Sequence, residues 1–180
     1  GAASGITGIL TTADTITAAT GTGGISITES DGADFTATVA GATGNIVLTS
    51  TAGTLNIAGA TNTGGGSITL NSGDAITLNA ALGSGTTGDI AINANTDGAG
   101  AQGFTQSVGA GSITTGSAGA TAVKILVNTA AAGTGGAALR DITTGAGGTI
   151  TVDTSQGNAT GGSITQTAAT LLNSGAGGPG

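Results

Sequence analysis

The sequence contains no cysteine, methionine, histidine, tryptophan or tyrosine, one proline, and two basic residues among 180. Each absence removes a class of chemistry. Without Cys or His there is no zinc site of the usual kind, no catalytic thiol and no Ser-His relay. Lys124 and Arg140 are the only cations, so no basic face exists for nucleic acid or anionic lipid. Purely apolar runs are a few residues long, far below the ~20 of a membrane-spanning helix, and membrane insertion is not expected. The lack of cysteine suits any compartment and is tolerable in an extracellular fibre. The chain opens Gly1-Ala2-Ala3-Ser4, and no signal peptide is read in it as written.

What is present is 38 Gly, 36 Thr and 33 Ala, more than half the residues. Large apolar residues number 16 Ile, 10 Leu, 6 Val and 2 Phe, and the net charge is −7. That composition borders on disorder. Two features point the other way: charged residues are only 6% of the chain, and the apolar residues are regularly placed.

A short phrase, Gly then a small polar residue then Ile, recurs. It reads Gly44-Asn45-Ile46, Gly66-Ser67-Ile68, Gly88-Asp89-Ile90, Gly111-Ser112-Ile113 and Gly162-Ser163-Ile164, with a shortened form at Gly24-Ile25. Ile25, Ile46, Ile68, Ile90 and Ile113 are 21, 22, 22 and 23 residues apart. From Ile113 to Ile142 is 29 and from Ile142 to Ile164 is 22, which places an insertion after Ile113. A second phrase follows the first by about nine residues, as Thr54-Leu55-Asn56-Ile57, Ala75-Ile76-Thr77-Leu78 and Thr149-Ile150-Thr151-Val152. Each unit of ~22 residues thus carries two short strands with alternating apolar residues between Gly, Asn, Ser and Thr turns.

One such unit buries too few side chains to fold alone. Stacking units pairs each strand with its counterparts at ~4.8 Å and turns the inward residues into continuous columns. The period excludes a collagen triplet and the nonapeptide and hexapeptide coils, and Gly and Thr break every Ala cluster that would make a helix. The expected fold is all-β: a parallel β-helix, or β-solenoid, of about eight coils, with residues 1–180 a single region uncapped at both ends. Its core is assigned to Ile25, Ile46, Ile68, Ile90, Ile113 and Ile164 together with Leu55, Ile76 and Ile150. Ile46, Ile68, Ile90 and Ile113 are expected in one column, and Leu55, Ile76 and Ile150 in another.

The run Gly66-Ser67-Ile68-Thr69-Leu70-Asn71-Ser72-Gly73-Asp74-Ala75-Ile76-Thr77-Leu78-Asn79-Ala80 resembles the repeat region of filamentous-haemagglutinin-type exoproteins and related giant bacterial surface adhesins. The likeness is one of composition and period. It implies a right-handed β-helix with three faces, an extracellular or bacterial cell-surface location, and a part in adhesion. The family's secretion module with its Asn-Pro-Asn-Gly motif has no counterpart, since the only proline is Pro179. The resemblance is to the shaft.

Chemistry-bearing motifs are few. Gly98-Ala99-Gly100-Ala101-Gln102-Gly103 fits a dinucleotide fingerprint, but no helix follows to receive a pyrophosphate, so it reads as a loop. Asn93, Asn95 and Asp97 have the alternation of a calcium loop, with Phe104 where its bidentate Glu belongs. Glu29, Asp31 and Asp34 put three carboxylates in six residues. These six are the candidate metal ligands, for Ca²⁺ and weakly. Solvated acidic turns are the favoured explanation of them, since Asx side chains cap turns without an ion. Asp74, Asp89, Asp141 and Asp153 fall at different offsets, so no catalytic residue and no other cofactor are assigned. An ice-binding face needs a flat Thr column. The expected outward rows read Ser26, Val47, Thr69, Ala91, Thr114, Thr165 and Thr28, Thr49, Asn71, Asn93, Gly116, Thr167, interrupted in both cases. The function expected is a structural rod, a shaft segment of a secreted adhesin or a self-associating surface filament, with an ice- or calcium-binding solenoid as the alternative. Its partners are neighbouring coils of a longer chain or identical chains end to end, and its cell-surface or glycan target is not encoded in a repeat.

Overall fold

In the computed structural model the described residues are 6–107, 109, 111–130, 132–156, 160–167 and 169–175. Among them there are 19 strands and no helix. The amino-terminal half holds β1 (Ile6–Thr11), β2 (Thr15–Thr20), β3 (Ile25–Glu29), β4 (Ala33–Val39), β5 (Ile46–Ser50), β6 (Leu55–Ile57), β7 (Thr61–Thr63), β8 (Ile68–Ser72), β9 (Ile76–Leu78) and β10 (Leu82–Ser84). The other half holds β11 (Ile90–Ala94), β12 (Phe104–Gln106), β13 (Ile113–Thr115), β14 (Val123–Val127), β15 (Ala137–Leu139), β16 (Ile142–Thr143), β17 (Ile150–Asp153), β18 (Ile164–Gln166) and β19 (Leu172–Asn173).

Every pairing is parallel, which makes a solenoid-like fold. One sheet has seven strands in the order β1-β3-β5-β8-β11-β14-β17, and the other has twelve. The second sheet is two ladders joined at β4. Ala33–Phe35 pair with β6, while Thr38 and Val39 pair with β7. The join has a local cause: residues 33–39 alternate without a break, with Phe35, Ala37 and Val39 inward and buried. One coil later the same path is cut by Gly59, where a side chain would strike Thr36. From there the chain makes three short strands per coil, on three faces.

The third strand of each coil, which only the resemblance's three faces implied, is not marked by the residue pattern. Thr61-Asn62-Thr63 and Leu82-Gly83-Ser84 lack the paired Ile or Leu that marks a strand, yet Thr61, Thr63, Leu82 and Ser84 are all buried.

The inward columns also differ from expectation. The first face stacks Ile25, Ile46, Ile68, Ile90, Val123 and Ile150. The second stacks Leu55, Ile76, Phe104, Ala137 and Ile164. Leu82, Ile113 and Ile142 stack on the third. Ile113 therefore leaves the Ile68 column, and Ile150 joins it. The reason is that Gly-polar-Ile marks a corner followed by a strand and does not say which corner. Gly66-Ser67-Ile68 precedes the first face, Gly111-Ser112-Ile113 the third and Gly162-Ser163-Ile164 the second.

Of the assigned core, Ile25, Ile46, Ile68, Ile90, Ile113, Leu55 and Ile76 are at most 1% exposed. Ile150 is half-buried and packs against the core. Ile164 is 51% exposed, because β18 pairs on one side only among the described strands.

The insertion lies earlier than the spacing suggested. Ile90 pairs with Val123, 33 residues on, where Ile46 pairs with Ile68, 22 on. All three corners of that coil grow. Residues 95–103 replace a corner of 73–75, residues 107–112 replace 79–81, and residues 116–122 replace 85–89.

Candidate functional site

Tight corners between the third and first faces explain the glycine of the repeated phrase. A methyl on Gly66 would overlap the Gly44 carbonyl, and one on Gly88 the Gly66 carbonyl. Glycine is needed there because backbone stacks directly on backbone. Inward hydroxyls satisfy the same corner: Thr63 Oγ1 donates to Gly44 O at 2.9 Å, Thr115 Oγ1 to Gly88 O at 2.6 Å and Thr144 Oγ1 to Gly148 O at 3.0 Å.

The corner after the first face carries an inward polar column of its own. Glu29 pairs with Ser50, and Ser50 with Ser72. Glu29 is 0% exposed. Its Oε2 accepts the Asp31 N–H at 2.9 Å and also the Gly32 N–H, while Oε1 has no partner. Burial pushes the Glu29 carboxyl up. Hydrogen bonding from the Asp31 carboxyl and the N–H groups of Gly32, Ser30 and Asp31 outweighs that and holds it below the usual glutamate range. Asp31 is raised, by its hydrogen bond to Glu29 and then by repulsion from it.

Asp34, outward on β4, accepts Asn56 Nδ2 at 2.7 Å, and Asn56 Oδ1 accepts Asn79 Nδ2 at 2.8 Å. Asp14, Asp31 and Asp34 line an open groove of about 540 Å³ with Asn56, Thr77 and Asn79. The structure thus separates the three acidic candidates. Glu29 faces inward to cap its turn, whereas Asp31 and Asp34 face the groove.

The other candidate ligands diverge as well: alternation alone would leave Asn93 and Asn95 on one face, but β11 ends at Ala94 and the backbone reverses into a left-handed residue at Asn95. Asn93 points outward and donates to Asn71 Oδ1 at 2.8 Å. Asn95 is buried, takes the left-handed conformation with φ of 52°, and donates to Asn128 Oδ1 at 2.7 Å. Asp97 is exposed and accepts the Ala99 N–H at 2.9 Å. Among the described residues no three His, Cys, Asp or Glu side chains gather as a metal site would require. Gly98–Gly103 is turn and irregular backbone between β11 and β12.

The remaining carboxylates serve their own neighbourhoods. Asp74 accepts the Gly53 N–H at 2.6 Å, and Asp89 the hydroxyls of Ser117 and Thr121. Asp153 is held low by hydrogen bonds from Gln156 and Ser155, with a smaller contribution from Lys124. Outward rows of the first face read Ser26, Val47, Thr69, Ala91, Lys124, Thr151 and Thr28, Thr49, Asn71, Asn93, Leu126, Asp153. Thr114 and Thr165 belong to other faces, and Lys124, Leu126 and Asp153 break the hydroxyl pattern further than the sequence suggested.

Interior amides were the residues sequence reasoning missed. Asn128, left-handed at φ of 60°, donates to Gly135 O at 2.8 Å and Thr154 O at 2.6 Å, and accepts from Gly135 N at 3.0 Å. Gln106, 2% exposed, donates to Gly111 O at 2.6 Å and Asp141 O at 3.2 Å. The available signal was an amide at the end of an alternating strand, Gln106, or directly after one, Asn128, ahead of a loop. Compared with known proteins, the chain matches no family model, no curated protein and no solved structure.

Proposed function

We propose that this chain is a structural segment of an extracellular rod: a shaft piece of a bacterial surface adhesin or the unit of a self-associating surface filament, without catalytic residues or a cofactor. In this reading it is a right-handed parallel β-helix of about eight coils averaging ~22 residues, and seven of them supply the seven-stranded sheet. The observation that carries the reading is where the polar groups are used. Buried Ser, Thr, Asn and Gln side chains close corners, and outward Asn and Asp side chains bond to the coil above or below. This polarity serves stacking.

The edges support association. Leu10 is 80% exposed, Ile9 43%, Leu171 58% and Leu172 39%. Unpaired parallel strands with apolar residues beside them are templates for further pairing. The partners of this reading are neighbouring coils of a longer chain or identical chains end to end.

Negative-stain microscopy over a concentration series, with hydrogen exchange on the dilute sample, tests it. Rods that lengthen with concentration, or terminal strands exchanging faster than β5, β8 and β11, are the expected results. A monodisperse particle whose terminal strands are as protected as the central ones overturns the reading. So does thermal hysteresis at micromolar concentration, which would make ice the ligand.

A further inference from the structure

The corner between the second and third faces changes length from coil to coil. It is residues 107–112 after β12, only Arg140 and Asp141 after β15, and residues 167–171 after β18. A two-residue corner between longer ones is recessed. The recess measures about 190 Å³ and is lined by Arg140, Asp141, Ser107, Ser112, Gly109 and Gly111. Arg140 is the only arginine of the chain, and it is half-buried there.

Its hydrogen bonds fix its position without using its fork. The backbone N–H donates to Gln106 Oε1 at 2.9 Å, and Nε donates to Gln106 O at 3.1 Å. Gln106 is itself locked in the interior by Gly111 and Asp141 carbonyls. The Nη groups have no hydrogen-bond partner among the described residues. Asp141 Oδ1 is engaged with the next coil, accepting the Leu171 N–H at 2.8 Å.

We propose that this recess binds one hydroxylated carboxylate the size of a single sugar acid. The Nη pair takes the carboxylate as a bidentate fork. Ser112 Oγ and the second oxygen of Asp141 take ring hydroxyls. Asp141 and a net charge of −7 disfavour a dianion, so the match is to a singly charged, planar carboxylate rather than to phosphate. This site lies on a corner rather than on a strand, and does not depend on the rod reading.

Because the chain has one arginine, a ¹⁵N-labelled sample gives a single Arg Nε–H resonance that reports the site directly. Wild-type protein is titrated with D-glucuronate, its methyl glycoside, D-glucose and inorganic phosphate. A saturable shift with D-glucuronate, and affinities about tenfold or more weaker for glucose and phosphate, are expected. The methyl glycoside separates a glycan end, which binds as the free acid does, from a free metabolite, which binds alone. Arg140→Lys keeps the charge and loses the fork, so its affinity for glucuronate falls about tenfold or more, while circular dichroism and thermal unfolding stay as in the wild type. A non-saturating shift, equal affinity for glucose, or an Arg140→Lys variant that folds and binds like the wild type overturns the proposal. If that variant fails to fold, the wild-type titration alone decides.

Discussion

The coils from Ile25 to Ala94 and those from Asn95 onward solve the same problem with different groups. In the first region the corners are short, glycine lets backbone rest on backbone at Gly44, Gly66 and Gly88, and small hydroxyls close what is left. In the second most corners lengthen, glycine still rests on backbone at Gly103, Gly135, Gly145 and Gly162, and the interior takes up Asn95, Gln106 and Asn128 beside its hydroxyls. An amide carries both a donor and an acceptor. It can therefore satisfy two backbones of a longer loop at once, which a hydroxyl does less completely. Loop length is tolerated where the interior polar group grows with it.

Inward substitutions should give the largest contrast. Ile68→Asp buries an unpaired carboxylate between two coils and should prevent cooperative folding of the tight region. Ile68→Ala should cost ~2–5 kcal/mol in denaturant unfolding, and Thr69→Ala little, because Thr69 faces outward. Val123→Ala, in the same column of the expanded region, should cost less than Ile68→Ala. Equal losses at 68 and 69 would undo the assigned alternation.

Glycine stacking can be tested by a single methyl. Gly88→Ala places a Cβ on the Gly66 carbonyl, whereas Gly21→Ala meets nothing within 4 Å and has no positive φ. The first should lose about 2 kcal/mol or more, and the second should change by no more than ~1 kcal/mol in either direction. Similar thermal midpoints for the two would remove backbone stacking as the role of these glycines.

In the expanded region Asn128→Ala should cost ~2–4 kcal/mol, since it leaves the Gly135 N–H and two carbonyls without their partner and also strains a left-handed residue. Asn128→Gly relieves the strain alone and should fall between the alanine variant and the wild type. An alanine variant as stable as the wild type would mean that the amide does not support the long corner.

The smallest effect concerns the tight region's one interior charge. Glu29 titrates below its ordinary value, so its share of stability is present at neutral pH and is lost as pH falls through that lowered value. Asp31 has the opposite sign: its contribution holds at low pH and is lost as pH rises through its raised value. Glu29→Gln should return the Asp31 midpoint towards an ordinary aspartate, as read by ¹³C carboxyl titration. An unmoved midpoint would show that Glu29 is not what raises Asp31.

The parallel solenoid-like arrangement was legible because one β-branched residue per phrase repeats at nearly constant spacing. Face assignment was not. Ile68, Ile113 and Ile164 end identical Gly-Ser-Ile tripeptides and lie on three different faces, since a corner phrase encodes a bend and the residues between phrases decide how far round the chain has come. The third strand was hidden for a related reason. Thr61 and Thr63 fill inward positions with methyls and hydroxyls, so burial there carries no apolar signature. For the acidic clusters, proximity in sequence placed Glu29 beside Asp31 correctly. It could not tell the inward carboxylate from the outward ones, because that depends on where β3 ends.

The parallel pairing has a mechanical side. In a parallel ladder the hydrogen bonds run along the direction in which the strands stack, and a strand bears only on those directly above and below it. Tension applied along that direction loads these bonds one row after another instead of shearing a whole sheet together. Each coil that peels away would release ~22 residues, roughly 75 Å of extended chain. Such a segment yields in steps under load, absorbing work at each, and its short rows can zip shut again when the force is removed.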